Sequence, residues 1–132
     1  MKVVALDYGS ARTGVAVSDP TGTIARPLGV VERAASETGL AQIAELVRRE
    51  GAERVVVGLP LTLRGERGAQ AQETETFVEA LRGAVEVPVE SYDERFTTGL
   101  AASVGSDDAP EDARAAAHLL SSYLAWSRAA RG

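Results

Sequence analysis

The chain has no cysteine, a single histidine (His118) and a single lysine (Lys2) among its 132 residues. Without cysteine there is neither a disulfide nor a thiolate metal site, and a reducing compartment is compatible. One histidine excludes a zinc site built from several imidazoles. Any metal must therefore be held through oxygen, which points to Mg²⁺ or Mn²⁺. No apolar run is long enough to span a bilayer. No signal-peptide pattern precedes the first strand-like segment, so the expected location is the cytoplasm, with no membrane contact. Positive charge is scarce as well. The 14 Lys and Arg residues face 19 Asp and Glu, a net charge of −5, which weighs against broad binding to phosphate. What positive charge exists is almost all arginine. Its guanidinium fork suits bidentate phosphate contacts, although a GC-rich coding sequence would enrich arginine too.

Against these absences stands an ordinary globular composition, 45% hydrophobic and 25% charged, with a length that fits one domain over residues 1–132. No internal repeat or linker interrupts it. Residues 2–8 and 13–19 read as paired strands, with Pro27 to Val31 as a third and Gly22 in the connection between the second and third. Ser36 is a natural N-cap, Leu40, Ile43, Ala44 and Val47 recur at helical spacing, and Gly51 ends that helix. Arg54 to Gly58 is a short, nearly all-apolar strand of the kind covered on both faces. A polar loop containing Arg64, Gly65, Arg67 and Gly68 leads to a helix over Gln70 to Arg82 with Phe77, Val78 and Leu81 inward. Val85 to Glu90 alternates as a fifth strand running on toward Asp93, a short helix starts near Thr97, and a last helix covers about Glu111 to Arg128. The order predicts an α/β fold: a mixed five-stranded sheet, its first three strands antiparallel, with helices on both faces, the layout of the ribonuclease H-like fold.

The chemistry lies in the acids. Asp7 ends the apolar run Val3-Val4-Ala5-Leu6 and precedes Tyr8-Gly9. Alternation puts Val3, Ala5 and Asp7 on one face, so a carboxylate follows a row of buried residues to the strand tip. Such a charge is costly to bury without a partner, and a bound cation is a natural one. The bland alternative is turn chemistry, which Asp-x-Gly also serves. At ~100° per residue, Asp112 falls beside Ala116, Leu119, Leu120 and Tyr123, at the edge of the apolar stripe, while Glu111, Arg114, His118 and Ser121 fall away from it. Asp112 would also complement a helix N-terminus, a task that Asp107, Asp108 and Glu111 already perform. Of Asp93 and Glu94, alternation sends one to each face without saying which. Acids at two strand tips and one helix start can surround a point, and two-metal phosphodiester hydrolysis needs carboxylates converging on ions ~4 Å apart. Three separated carboxylates on this frame point to a metal-dependent nuclease.

The pattern as a whole resembles the YqgF/RuvX family of pre-16S rRNA nuclease and Holliday-junction-resolvase-like proteins. The resemblance covers nearly the whole chain. It rests on Leu6-Asp7-Tyr8-Gly9 with Arg12, on Gly14-Val15-Ala16-Val17-Ser18-Asp19, and on Pro27-Leu28. It continues through Gly58-Leu59-Pro60-Leu61, Gly65 with Gly68, Ala71, Asp93-Glu94-Arg95-Phe96-Thr97-Thr98 and Asp112 with Ala115-Ala116. It implies a ribonuclease H-like fold, Mg²⁺- or Mn²⁺-dependent nuclease chemistry, and nucleic-acid partners: a pre-16S rRNA 5′ end within a ribosomal precursor particle, or branched DNA cut by a homodimer. Residue by residue it places catalytic roles on Asp7, Asp93, Glu94 and Asp112, with Asp7, Glu94 and Asp112 as metal ligands. Related resolvases carry an acid at the end of the fourth strand, where this chain has Gly58-Leu59-Pro60, so a fifth-strand acid has to substitute.

Arg12, Arg64, Arg67 and Arg95 lie in connections expected at the same sheet edge and are the candidate phosphate contacts. Arg95 would equally pair with Asp7 or Asp112. Tyr8 has two readings, stacking on a base or packing in the core; Tyr123 and Trp126 read as helix packing. Two competing functions remain. Asp7-x-Gly9 with Gly14 is similar to the phosphate loop of actin- and hexokinase-type proteins, which need a second lobe absent here. A non-catalytic RNA-binding module of ribosome assembly would suit the missing fourth-strand acid and the negative charge.

Overall fold

The computed structural model describes residues 1–60, 68–93 and 109–131. Five strands form one sheet: β1 (Val3–Asp7), β2 (Arg12–Ser18), β3 (Ala25–Glu32), β4 (Arg54–Leu59) and β5 (Val89–Asp93). They are ordered β3-β2-β1-β4-β5. β1, β2 and β3 pair antiparallel, while β4 runs parallel to both β1 and β5. The helices are α1 (Glu37–Glu50), α2 (Ala69–Arg82) and α3 (Glu111–Arg131). Among the described residues no helix is long and apolar enough to cross a membrane.

Alternation along the strands builds two cores. Val4 and Leu6 of β1, Val15 and Val17 of β2, and Val55 and Val57 of β4 pack with Ile43 and Val47 of α1 and with Phe77, Val78 and Leu81 of α2. On the other face Val3, Ala5, Ala16 and Val56 meet Ala116, Leu119, Leu120 and Tyr123 of α3. That second face is poor in bulk. Ala5 and Ala16 opposite Ala113, Ala116 and Ala117, all fully buried, let α3 lie close to the sheet.

Local signals explain most boundaries. Ser36 Oγ accepts from Gly39 N at 3.0 Å and caps α1. Gly51 ends α1 in the left-handed conformation, φ 67°, which a glycine adopts without strain. Pro27 sits in edge strand β3 beside a register shift, where a missing N–H is tolerated. The fifth strand departs from expectation: it begins at Val89, not Val85. Val85 N–H instead bonds back to Leu81 O at 3.1 Å, and Pro88, with no N–H to give, offers only its carbonyl, to Val55 N. Val85 and Val87 still pack against the α1–α2 core from this connection. Trp126, expected to pack, is half exposed and leans on Tyr92 and Tyr123. The short helix expected near Thr97 lies outside the described residues.

Asp19 holds the β2–β3 connection. Its carboxylate accepts from Thr23 N (2.8 Å), Ile24 N (3.0 Å) and Thr21 Oγ1 (2.5 Å). These bonds, the Ile24 amide foremost, lower its pKa from 3.8 to about 2. A depressed carboxyl pKa stabilises the fold above the unfolded value and loses that effect as pH falls through the folded one. The stability gap between wild type and Asp19→Ala, followed by thermal unfolding, is therefore expected to be constant above about pH 5 and to close between pH 4 and 2.

Candidate active site

The carboxyl ends of β1, β4 and β5 share one edge of the sheet, with Leu6 beside Val57 and Leu59 beside Asp93. Open α/β sheets take their ligands beyond this edge. Asp7 closes β1 there. It is partly exposed, and since Val3 and Ala5 belong to the α3-side core, alternation puts Asp7 on the α3 side too. Its antiparallel partner is Gly14, and directly opposed residues of such a pair share a face. A Cβ on Gly14 would overlap the backbone carbonyl of Asp112. The first turn of α3 thus fills the space a side chain at position 14 would take, beside the residue paired with Asp7. Gly14 is flanked by the backbones of both Asp7 and Asp112.

The turn after Asp7 is tied down. The Thr13 hydroxyl, fully buried, donates to Gly9 O (3.3 Å) and accepts from Gly9 N (3.4 Å). Gly9 itself packs so tightly that a Cβ there would sit 2.5 Å from Arg12 O.

Arg12 opens β2 and reaches α3. Its Nε and Nη2 donate to the same oxygen, Asp112 Oδ2, at 2.9 and 2.5 Å. Asp112 foremost, with Glu32 and Glu111 contributing, raises the guanidinium pKa above its ordinary value. The side chains of Arg12 and Asp112 are 59% and 35% exposed, so this is a surface ion pair of small net stabilisation.

Tyr8 packs against α2. Its ring stacks on Phe77 with centroids 4.4 Å apart, and its hydroxyl donates to Glu73 Oε2 at 2.9 Å. Burial, with Glu73 beside it, pushes the phenol pKa up to about 12. Tyr8→Phe keeps the stack and removes only a partly exposed hydrogen bond. The expected cost is about 0.5–1 kcal/mol, read by denaturant unfolding, with nucleic-acid affinity unchanged.

Asp93 ends β5 on the same edge, two strands from β1. Tyr92 belongs to the α3-side core, so alternation turns Asp93 toward α2, away from the face of Asp7. Glu94, Arg95, Arg64 and Arg67 lie outside the described residues. Among the described residues no group of three or more His, Asp or Glu side chains is placed to hold an ion together. Asp7 and Asp112 nonetheless fit a hard cation: both offer oxygen only, and Mg²⁺ keeps several waters and needs few protein ligands. The Arg12–Asp112 pair and the close approach at Gly14 are features that sequence reasoning missed. A glycine inside an apolar strand was a usable signal for the second, since it commonly marks close backbone approach.

The arrangement of the strands agrees with what comparison shows. The family model described as "RuvX: Holliday junction resolvase" matches residues 1–126. The chain belongs to the RuvX family. A Chloroflexus aurantiacus relative named "Putative pre-16S rRNA nuclease" is 49% identical over 96 residues, covering 73% of this chain and 63% of that protein. A Rubrobacter xylanophilus relative of the same name is 52% identical over 98 residues, or 74% of this chain and 68% of that protein. The match to the Chloroflexus protein thus spans less than two thirds of its length. Among solved structures, T. thermophilus RuvC in complex with Holliday junction substrate superposes with a TM-score of 0.67 at 20% identity, covering 97% of this chain and 95% of RuvC. RuvC alone gives the same TM-score. The RuvX chain therefore has the ribonuclease H-like fold, with its first three strands antiparallel.

Proposed function

We propose that this RuvX chain is a nuclease that hydrolyses phosphodiester bonds in structured nucleic acid with the aid of Mg²⁺ or Mn²⁺. The observation that carries the proposal is that Gly14 pairs with Asp7 and adjoins the Asp112 backbone, on the carboxyl edge of a ribonuclease H-like sheet. Asp7 and Asp112 would hold the cation. Asp93 turns toward α2, which leaves Glu94 as the acid of that pair to join them. When bound, such a cation polarises the phosphoryl oxygens and makes water a stronger nucleophile. Arg12, Arg64, Arg67 and Arg95 would bind flanking phosphates and fix the scissile one at the edge. In-line attack by water then leaves a 5′-phosphate.

The relatives' names favour pre-16S rRNA as substrate and the family description favours branched DNA; our first reading is the 5′ end of pre-16S rRNA, in the cytoplasm and on a ribosomal precursor particle, with branched DNA as the other candidate. Symmetric cutting of a four-way junction needs two copies of the site, so junction cleavage would require a homodimer. One observation favours a non-catalytic RNA-binding role in ribosome assembly: the end of β4 carries Gly58 and Leu59, with no acid. A labelled pre-16S 5′ leader and a labelled four-way DNA junction, each incubated with Mg²⁺, Mn²⁺ or EDTA, separate these readings. Cutting that EDTA abolishes supports the nuclease, and the better substrate names its task. RNA binding without cutting under any metal would leave the assembly module.

A further inference from the structure

We propose that Arg12 is a two-position residue: held on Asp112 in the free protein, it passes to a phosphate when nucleic acid binds, so that substrate and divalent cation load together. The inference rests on the reading of Asp7 and Asp112 as cation ligands.

Its basis is the form of the ion pair. Both guanidinium N–H groups land on Oδ2 of Asp112, so Oδ1 is not used by Arg12. A carboxylate gripped on both oxygens would be locked; this one is held by one. Both side chains are reached by solvent, and an exposed ion pair of this kind is weak. A phosphate accepts the same fork of donors, so exchanging one anionic partner for the other faces no large penalty. Arg12 is also ringed by acids. Glu32 is its cross-strand partner, and Glu111 precedes Asp112. In the free protein these hold the guanidinium beside the cation site, where its unit charge repels a divalent ion. Once a phosphate draws Arg12 away and neutralises it, that repulsion falls. Linkage makes the effect reciprocal: cation binding in turn loosens Arg12 for the phosphate.

The competing role is positioning, in which Arg12 fixes Asp112 so that Oδ1 faces the ion; the two roles predict opposite signs. Mn²⁺ is titrated calorimetrically into wild type, Arg12→Gln and Arg12→Lys, without nucleic acid, after matching thermal unfolding confirms that each variant folds. Arg12→Gln is expected to bind Mn²⁺ roughly three- to tenfold more tightly than wild type, the scale of one unit charge acting on a divalent ion across a few ångströms of exposed protein. Arg12→Lys, which keeps the charge, should stay near wild type. In EDTA, binding of the four-way junction or the 16S leader by Arg12→Gln should lose about one from its log–log salt slope. Equal or weaker Mn²⁺ binding by Arg12→Gln, with wild type binding normally, overturns the exchange and leaves the cation site standing. An unchanged salt slope overturns it from the phosphate side. If neither wild type nor Arg12→Gln binds Mn²⁺, the cation-ligand reading fails and the exchange fails with it.

Discussion

Gly14→Ala is expected to be among the most damaging single substitutions in the chain, although it adds one methyl group at a strand position. The added Cβ would overlap the Asp112 carbonyl and crowd the Ala113 amide. These are backbone atoms of a helix, not the loose end of a side chain, so relief requires α3 to move as a body. That movement would open the layer in which Ala116, Leu120 and Tyr123 are buried against β1 and β2. Overpacking of this kind costs about 3 kcal/mol at its upper end, and a fall in Tm of roughly 10 °C is the corresponding result for a domain of this size. Any protein that still folds should also have lost the cleavage proposed here, because Asp112 moves with α3. Gly29→Ala is the control. Gly29 lies in β3 with open space where its Cβ would go, so its Tm should stay close to wild type. Thermal unfolding of the two variants side by side measures the difference.

Asp7→Asn is expected to do the reverse, removing activity while leaving the fold in place. Asparagine has the shape of aspartate, and its position at the end of β1 opposite Gly14 is fixed by the strand pairing. What disappears is the negative charge. Partners in the outer shell of a metal site typically cost 10–100-fold when removed, so a direct ligand should cost at least about 100-fold in single-turnover cleavage. Together the two substitutions separate the carboxylate from the scaffold that presents it.

Much of the frame is legible in the sequence. Ser36 and Gly51 bracket α1 as read, because a hydroxyl cap and a left-handed glycine are local devices that depend on few distant contacts. The burial of Leu119, Leu120 and Tyr123 follows the helical stripe read for α3. The start of β5 was misread because Val85 and Val87 alternate like strand residues while serving as packing in the connection after α2. Pro88 then sets the first position at which ladder bonding can begin.

The site divided along similar lines. Alternation alone put Asp7 on one face with Val3 and Ala5, since strand period is a local property; that α3 covers this face needed the packed core. The pairing of Arg12 with Asp112 joins the start of β2 to the start of α3, and nothing in the spacing of either segment encodes that meeting. The same holds for Tyr8, whose choice of Phe77 and Glu73 as neighbours depends on where α2 lies over the sheet. The side of β5 on which Asp93 lies needed the burial of Tyr92 to set the phase of the strand.

The central claim is that Asp7 and Asp112 hold one divalent cation between them. Calorimetric titration of Mn²⁺ into wild type, Asp7→Asn, Asp112→Asn and the double variant tests it directly. If the two acids share an ion, each single variant loses most of the binding, and the double variant is hardly worse than either. If Asp112→Asn binds Mn²⁺ as wild type does, or if the losses of the two single variants simply add, the acids do not share an ion and the account of this site is wrong.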